Sequence, residues 1–430
     1  MLPLLLACTD PGSTPADPVS VDSEAEAPVE SSPPDSEAPE DSEPAEPEPP
    51  EVTEETVPDQ EVDTSWIFDD GVIHTISIEL PTSSTDGLIT EPFSYVEATV
   101  EFDEYTIEDV GVRIRGKIGS LRPLSGKPKF KLDFNQFVED QRFFGLEGLS
   151  LNAGGVIDCS FVKENLSYRL FREAGIAAPR TSFARVSLNG GDYGLYIIIE
   201  TPDDRFLDRT QEDSSGNLYD GKYVWYGGYS YVLLDFMLGV DTLFQLEEGT
   251  DVGHADVMAV SQALTAHKGT AGFFGEMDAL VDWEQFLMFQ AVEQWVGQND
   301  GYGLNRNNYR LYFDPMDGKL EFVPWDLDYS FLYDYSWGRS WSSPTGHLAY
   351  WCMVDSACYS ERRQASKELL GIAESTDLVG HMDEMVPLIV ADIASDPRRE
   401  CSVDSARSEQ ARVRAWLESQ NATMEAFWGF

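Results

Sequence analysis

From Val72 the chain begins to alternate apolar and polar positions. The runs are Ile76, Ile78 and Leu80, then Val96, Ala98, Val100 and Phe102, then Val110, Val112 and Ile114. Successive side chains on an extended backbone point to opposite faces, so these runs predict strands of an antiparallel sheet with one buried face. Residues 130–134 extend the pattern. Residues 183–188 and 195–200, joined through Asn189-Gly190-Gly191, predict a hairpin whose turn residues tolerate positive φ. Between them, Phe161, Leu166, Leu170 and Phe171 recur at helical spacing, with Asp158 and Ser160 as caps and Gly175 as a stop, which predicts a helix over 161–174. Downstream the period becomes helical, most clearly over 283–296 and 405–419. The expected class is therefore α+β, with a strand-rich first half carrying one helix and a helix-rich second half.

Composition removes the N-terminal region from this folded body. Between Asp10 and Asp63 there are 19 acidic residues, many prolines and serines, and no aromatic residue, lysine or arginine. Such a stretch buries too little apolar surface to offset its chain entropy, and is expected to be a disordered, self-repelling stalk over 9–65. The formal net charge is −48 and the first basic residue is Arg113. An acidic body repels nucleic acid, so no nucleic-acid partner is expected, and an anionic ligand would need a local cluster of lysine, arginine or metal.

The chain opens Met-Leu-Pro-Leu-Leu-Leu-Ala-Cys, and Leu5-Leu6-Ala7-Cys8 has the form of a lipobox. Residues 1–8 are expected to be the end of a lipoprotein signal peptide. Cys8 is then the lipidated residue that tethers an exported protein to the membrane, facing the periplasm or cell surface. The leader lacks a basic n-region and a full apolar core, so its true start is expected upstream. Four cysteines remain, Cys159, Cys352, Cys358 and Cys401, an even number that suits an oxidising compartment. A short Cys352–Cys358 bridge would leave Cys159 and Cys401 to pair, but three connectivities are open. The spacing lacks the paired C-x-x-C of a zinc site.

Several fragments share an order and spacing with one family. They are Arg113-Ile114-Arg115-Gly116, Lys129-Phe130-Lys131-Leu132-Asp133-Phe134, Leu149-Ser150-Leu151-Asn152, Asp158-Cys159-Ser160 ahead of Glu164, Pro179-Arg180, and Gly194-Leu195-Tyr196 ending in Glu200. Asn299-Asp300, Asn307-Asn308-Tyr309 and Pro324-Trp325-Asp326-Leu327-Asp328 follow. In this the chain resembles the CotH (spore coat protein H) kinase family.

The resemblance implies a protein-kinase-like bilobal fold, with an N-lobe over 66–200 and a C-lobe over 201–430. It also implies an ATP-dependent phosphotransferase using Mg²⁺ or Mn²⁺ and acting on a protein Ser, Thr or Tyr hydroxyl. Lys131 resembles the lysine that grips the triphosphate, with Lys129, on the same strand face, as its alternative, and Glu164 as the carboxylate partner. Arg115 and Glu200 are expected near the nucleotide. Asp300 stands where the family places its catalytic-loop aspartate, and Asn308, Asp326 and Asp328 where it places metal ligands. Phosphoryl transfer needs these residue types because catalysis is charge neutralisation and orientation of an attacking oxygen. Asp326 and Asp328, one residue apart, would face the same way from an extended chain. Leu332 follows Phe331 where the family has glycine. A non-catalytic surface-binding or adhesion module, and a metal-dependent hydrolase built on Asp300, Asp326 and Asp328, are the competing readings.

Overall fold

The alternating strands close on themselves. The computed structural model describes residues 63–430, except 117–118, 156, 222–224, 227–229, 232–234, 238 and 333–338, and it omits the side chains of 225, 226, 230 and 231 as well. The region around Cys8 and the acidic stretch lie outside the described residues.

Seven strands form a closed barrel: β1 (Ile73–Glu79), β2 (Val96–Phe102), β3 (Tyr105–Arg115), β4 (Lys129–Asp133), β5 (Gly148–Asn152), β6 (Thr181–Leu188) and β7 (Gly191–Glu200), in the order β1-β2-β3-β4-β5-β7-β6. All neighbours are antiparallel except β1 and β6, which pair in parallel from Ile73 opposite Phe183 to Ile78 opposite Leu188. That pairing departs from the purely antiparallel sheet expected above, and it is what closes the barrel and leaves no open edge. The β6–β7 turn behaves as its sequence requires, with Asn189 and Gly190 at φ 47° and 70°.

Among its described residues the first half holds two helices rather than one, α1 (Thr82–Thr90) and α2 (Lys163–Glu173). The second half is mixed. In chain order it contains α3 (Asp204–Thr210), β8 (Asn217–Gly221), β9 (Trp225–Tyr226), β10 (Ser230–Tyr231), α4 (Val240–Leu243), β11 (Phe244–Glu248), α5 (Ala255–His267), α6 (Phe273–Met277), α7 (Trp283–Val296) and α8 (Tyr302–Asn305). There follow β12 (Tyr309–Phe313), β13 (Leu320–Pro324), a 3₁₀ turn (Leu327–Tyr329), α9 (His347–Val354), α10 (Ser356–Thr376), α11 (Leu378–Ser395) and α12 (Val403–Trp428). Four of its strands form a sheet in the order β11-β8-β12-β13. No helix among the described residues is long and apolar enough to cross a membrane.

Two large cores explain the layering. Phe130, Leu132, Ala184, Val186, Tyr196 and Ile198 fill the barrel. The opposite faces of β6 and β7, through Phe183, Leu195, Ile197 and Ile199, join a second core with α2, α7 and the C-terminal helices. The period-2 alternation of β7 thus serves both cores at once. Two disulfides are present, Cys159–Cys401 and Cys352–Cys358, and they select one of the three connectivities. The first ties the segment before α2 to the segment before α12, 242 residues apart.

Candidate active site

Four local structures deliver the site. The first is β4, whose Phe130 and Leu132 point into the barrel and whose Lys129 and Lys131 therefore point out of it. The β3–β4 register sets Lys129 opposite Arg115 at the barrel's end, and Lys131 opposite Arg113 further along. Lys129 is buried, and its Nζ lies 3.1 Å from Asp328 Oδ2 and 3.4 Å from Asp326 Oδ1. Burial works to lower its pKa, but Asp326, Asp328 and Glu164 outweigh that and hold the ammonium above its ordinary range. Lys131 is half-buried and makes no ion pair among the described residues. Burial, with Arg310 and Arg113 adding, lowers its pKa. The ion-pair geometry thus falls to Lys129.

The second is α2, which Asp158 anchors by accepting hydrogen bonds from the backbone N–H groups of Ser160 and Phe161 at 3.0 and 3.1 Å. In its first turn Glu164 is buried, where a carboxylate suits the positive end of the helix. Its Oε2 accepts from Asn152 Nδ2 at 2.7 Å, and Asn152 Oδ1 in turn accepts from Arg115 at 3.1 Å. Its Oε1 is buried without a hydrogen-bond partner, and burial raises its pKa. Tyr168, one turn on, receives the Asp326 N–H at 3.0 Å.

The third is the β12–β13 hairpin. Tyr309 pairs with Pro324, and just outside the ladder the Trp325 N–H donates to the Asn308 carbonyl at 3.2 Å, which brings Asp326, the next residue, beside Asn308. Asn308 Nδ2 donates to the Asp326 carbonyl at 3.2 Å and to Asp300 Oδ2 at 3.1 Å, which leaves its Oδ1 as the atom to offer a cation. Asp326 is left-handed at φ 48° and Asp328 lies in a 3₁₀ turn, so their shared direction comes from a tight bend and not from the extended chain expected above. Residues other than glycine at positive φ cost energy, and Arg306, Asn308, Asp326 and Phe331 (φ 53°, 55°, 48° and 58°) cluster here as at other functional sites. Phe331 itself takes the conformation that glycine favours, next to Leu332. Burial raises Asp328 to about 7, whereas at Asp326 burial is overcome by Lys129 and Arg115, which hold that carboxyl below its usual range.

The fourth is the loop after α7. Gly297, at φ 63°, ends the helix. Glu293 reaches forward from α7 and accepts the N–H groups of Tyr302 and Gly303 at 2.8 and 3.0 Å. A Cβ on Gly301 would come within 2.0 Å of Glu293 Oε1, so glycine is what lets the loop lie this close. Asp300, in this loop, accepts from the side-chain amides of Asn305, Asn307 and Asn308. Burial pushes its pKa up to about 6 against those hydrogen bonds. Gln298 bridges the Asp300 N–H and the Asp326 carbonyl at 3.3 and 3.1 Å.

Lys129, Glu164, Arg115, Asp300, Asn308, Asp326 and Asp328 are therefore brought together, directly or through one intermediate side chain. Glu200 is not. It is fully buried and taken by Arg180 and Arg209, each at 2.6 Å. The sequence reading missed Asn152, Gln298, Glu293 and Arg310, whose guanidinium lies over the Trp325 ring at 4.9 Å as Arg115 does at 5.1 Å. It also missed Lys163, fully buried, whose Nζ pairs with Glu409 of α12 at 2.7 Å and donates to the Asp328 carbonyl at 3.4 Å. Asn152 had a signal, as the last residue of a quoted motif; Glu409 had none.

Glu164, Asp326 and Asp328, with Asp158 in electrostatic range of Asp328, outnumber the cations facing them. This donor set is all hard oxygen, and a divalent ion of the magnesium type on Asp326, Asp328 and Asn308 would supply the missing charge. Beside it, a small open cleft is lined by Arg122, Lys127, Lys129, Gly154, Asp328 and Glu400. Its basic side chains are each paired with acids, Arg122 with Glu400, Lys127 with Asp396 and Lys129 with Asp326 and Asp328, so the phosphates of a nucleotide would compete with these carboxylates.

Comparison with known proteins agrees with this chemistry. A family model described as CotH kinase protein matches residues 112–399. The inner spore coat protein H of Bacillus subtilis (strain 168) is 29% identical over 210 residues, covering 47% of this chain and 53% of that protein. The chain thus spans about half the length of this curated relative. Two solved structures overlap loosely. A complex of HipA, HipB and operator DNA from Shewanella oneidensis MR-1 has a TM-score of 0.33 at 14% identity, covering 73% of this chain and 67% of that one. The Helicobacter pylori proinflammatory kinase CtkA has a TM-score of 0.29 at 10% identity, covering 68% and 90%. The family match spans well over half of the sequence and contains Lys129, Glu164, Asp300, Asn308, Asp326 and Asp328: the chain belongs to the CotH kinase family.

Proposed function

We propose that this protein is an extracytoplasmic phosphotransferase that moves the γ-phosphate of ATP to a Ser, Thr or Tyr hydroxyl of a surface or periplasmic protein. The observation that carries the reading is the meeting of Lys129 with Asp326 and Asp328, within reach of Asp300 and Asn308, on elements far apart in sequence. Lys129 grips the phosphates, and Glu164 with Asn152 and Arg115 holds the charge pattern around it. A metal on Asp326, Asp328 and Asn308 would neutralise the triphosphate. Asp300, fixed by three asparagine amides, orients the acceptor hydroxyl and takes its proton; with a pKa of about 6 it is ionised at neutral pH. The kinase-like plan is supported by a closed barrel followed by a helix-rich half, although the core of that half is shared with α2, β6 and β7 and the division into two lobes is less clean than expected.

Two disulfides and a spore coat relative support a location outside the cytoplasm. Tethering by a lipid on Cys8 completes the proposal. A Cys8→Ser chain, expressed with a full signal peptide, should leave the membrane fraction; equal membrane association would remove the anchor. One observation favours a non-catalytic member: Glu400, paired with Arg122, also lines the cleft beside Lys129 and places an acid near the phosphates. Transfer of label from γ-labelled ATP to protein, measured for the parent and for Asp300→Asn, separates the two. Labelling by the parent and its loss in the variant support the enzyme. Absence of labelling from a folded parent that still binds Mg²⁺ and ATP supports the binding module.

A further inference from the structure

A second group of acids sits where the chain passes from the barrel to the helical half. Glu147 immediately precedes β5, and Asp203 and Asp204 open α3 just after β7. One carboxylate oxygen from each lies within 4.8 Å of the other two. Asp203 is 3% exposed. Its Oδ1 accepts the Phe206 N–H at 3.1 Å, while its Oδ2 is buried with no hydrogen-bond partner. Arg142 contributes one positive charge, pairing with Glu147 and with Asp204 Oδ2 at 3.0 Å, but it has no contact with Asp203. Three acidic side chains thus face one guanidinium, with Asn135 Nδ2 donating to Glu147 Oε1 at 3.0 Å, and Glu248 is a further acid in electrostatic range. Burial, then the neighbouring acids Asp204, Glu200 and Glu248, push Asp203 up to about 8.

We propose that Glu147, Asp203 and Asp204 form a second divalent-cation site, of calcium type, that clamps the barrel to the helical half. The donors are all oxygen, with no histidine or cysteine to favour zinc. Oxygens that all lie within 4.8 Å of one another can share a single ion bonded at about 2.3–2.6 Å, the calcium range. The ion joins the turn between β4 and β5 to α3, whose Phe206 and Leu207 pack on Leu218, Tyr312 and Val323 of the second sheet. The site shares no residue with the cluster around Lys129, and the inference stands whether or not the protein transfers phosphate.

The test is calorimetric titration of the chelator-stripped, full-length protein with CaCl₂, run also on an Asp326→Asn/Asp328→Asn chain. One calcium per chain should bind to the double variant, which lacks the Asp326 and Asp328 ligands, and at least one to the parent, and Glu147→Gln or Asp204→Asn should weaken the retained site at least about tenfold. Arg142→Gln, which removes a competing cation, should tighten it. A purely structural role for the acids does not predict that gain. Folding of each variant is checked by circular dichroism; should Glu147→Gln and Asp204→Asn both unfold, the Arg142→Gln result decides. No one-to-one binding by the folded double variant up to about 10 mM calcium, beyond the weak extracellular range, overturns the proposal. So does binding that is unchanged by all three substitutions.

Discussion

Replacing Lys129 with methionine keeps the length and apolar stem of the side chain and removes only its charge. In the metal-free protein, Nζ sits 3.1 Å from Asp328 and 3.4 Å from Asp326, and Glu164 also faces it. Its loss leaves three carboxylates in a low-dielectric pocket with their main counter-charge gone. Breaking a buried pair in this way costs about 3–5 kcal/mol. Asp326 is 28% exposed and loses less than Asp328, which places the expectation at the lower end, about 3 kcal/mol. Lys131→Met is the control: that side chain is half-buried and unpaired, so the change should stay within about 1 kcal/mol. Urea unfolding of both variants in EDTA gives the difference. Adding Mg²⁺ should recover part of the loss at Lys129, because a divalent ion repopulates the missing charge and stabilises the native state by mass action. Phosphate transfer, normalised to folded protein, should fall on the order of 10²-fold or more for Lys129→Met and much less for Lys131→Met. If Lys131→Met abolishes transfer while Lys129→Met leaves both stability and transfer intact, the reasoning from ion-pair geometry is refuted.

Three further outcomes follow. Asp300→Asn should leave Mg²⁺-dependent ATP binding largely unchanged and lower transfer about 10²-fold or more, because it acts on the hydroxyl and not on the triphosphate; equal loss of binding would move Asp300 into the metal set. Glu293 is raised to about 7, chiefly by burial, so the native state holds this proton more tightly than the unfolded chain does. Stability should therefore fall as pH rises from about 4.5 to 7, and urea midpoints for Glu293→Gln should show that slope reduced by on the order of 2 kcal/mol over the interval; an unchanged slope contradicts the assignment. Non-reducing mass spectrometry of exported protein should find both bridges, and Cys401→Ser should cost about 3–4 kcal/mol by freeing a long loop; a fully reduced protein of parental stability would count against the export argument.

Local signals carried further than long-range ones. Six of the seven barrel strands, α2 and α7 were readable because each has its own period of two or 3.6 residues, whereas β5, buried at every position, has no alternation and was not. The first helix, α1, was not: Thr-Ser-Ser-Thr-Asp-Gly-Leu-Ile-Thr is poor in helix formers, and only Ser84 and Leu88 are buried to mark a face. Barrel closure was equally hidden, since the parallel β1–β6 pairing joins segments about a hundred residues apart and leaves no local mark. At the site, alternation put Lys129 and Lys131 on one face and could go no further. What separates them is the β3–β4 register and the placement of the β12–β13 hairpin at the barrel's end, both tertiary facts. Asp326 and Asp328 were legible as a pair, though the backbone that aims them is left-handed and 3₁₀ in place of extended. Glu200 shows the opposite case, a motif residue whose charge is consumed by Arg180 and Arg209. The partnership of Lys163 with Glu409 had no precursor in the sequence, because the disulfide-tied C-terminal segment is brought in from the far end of the chain.

The central claim is that Lys129, Asp326, Asp328 and Asn308 together hold a metal-bound nucleotide. Calorimetric titration of ATP into the folded full-length protein, with Mg²⁺ and with EDTA, tests it most directly. The account predicts one saturable site that requires Mg²⁺ and disappears in a folded Asp326→Asn or Asp328→Asn chain. Metal-independent binding, or binding that survives both substitutions, would contradict it.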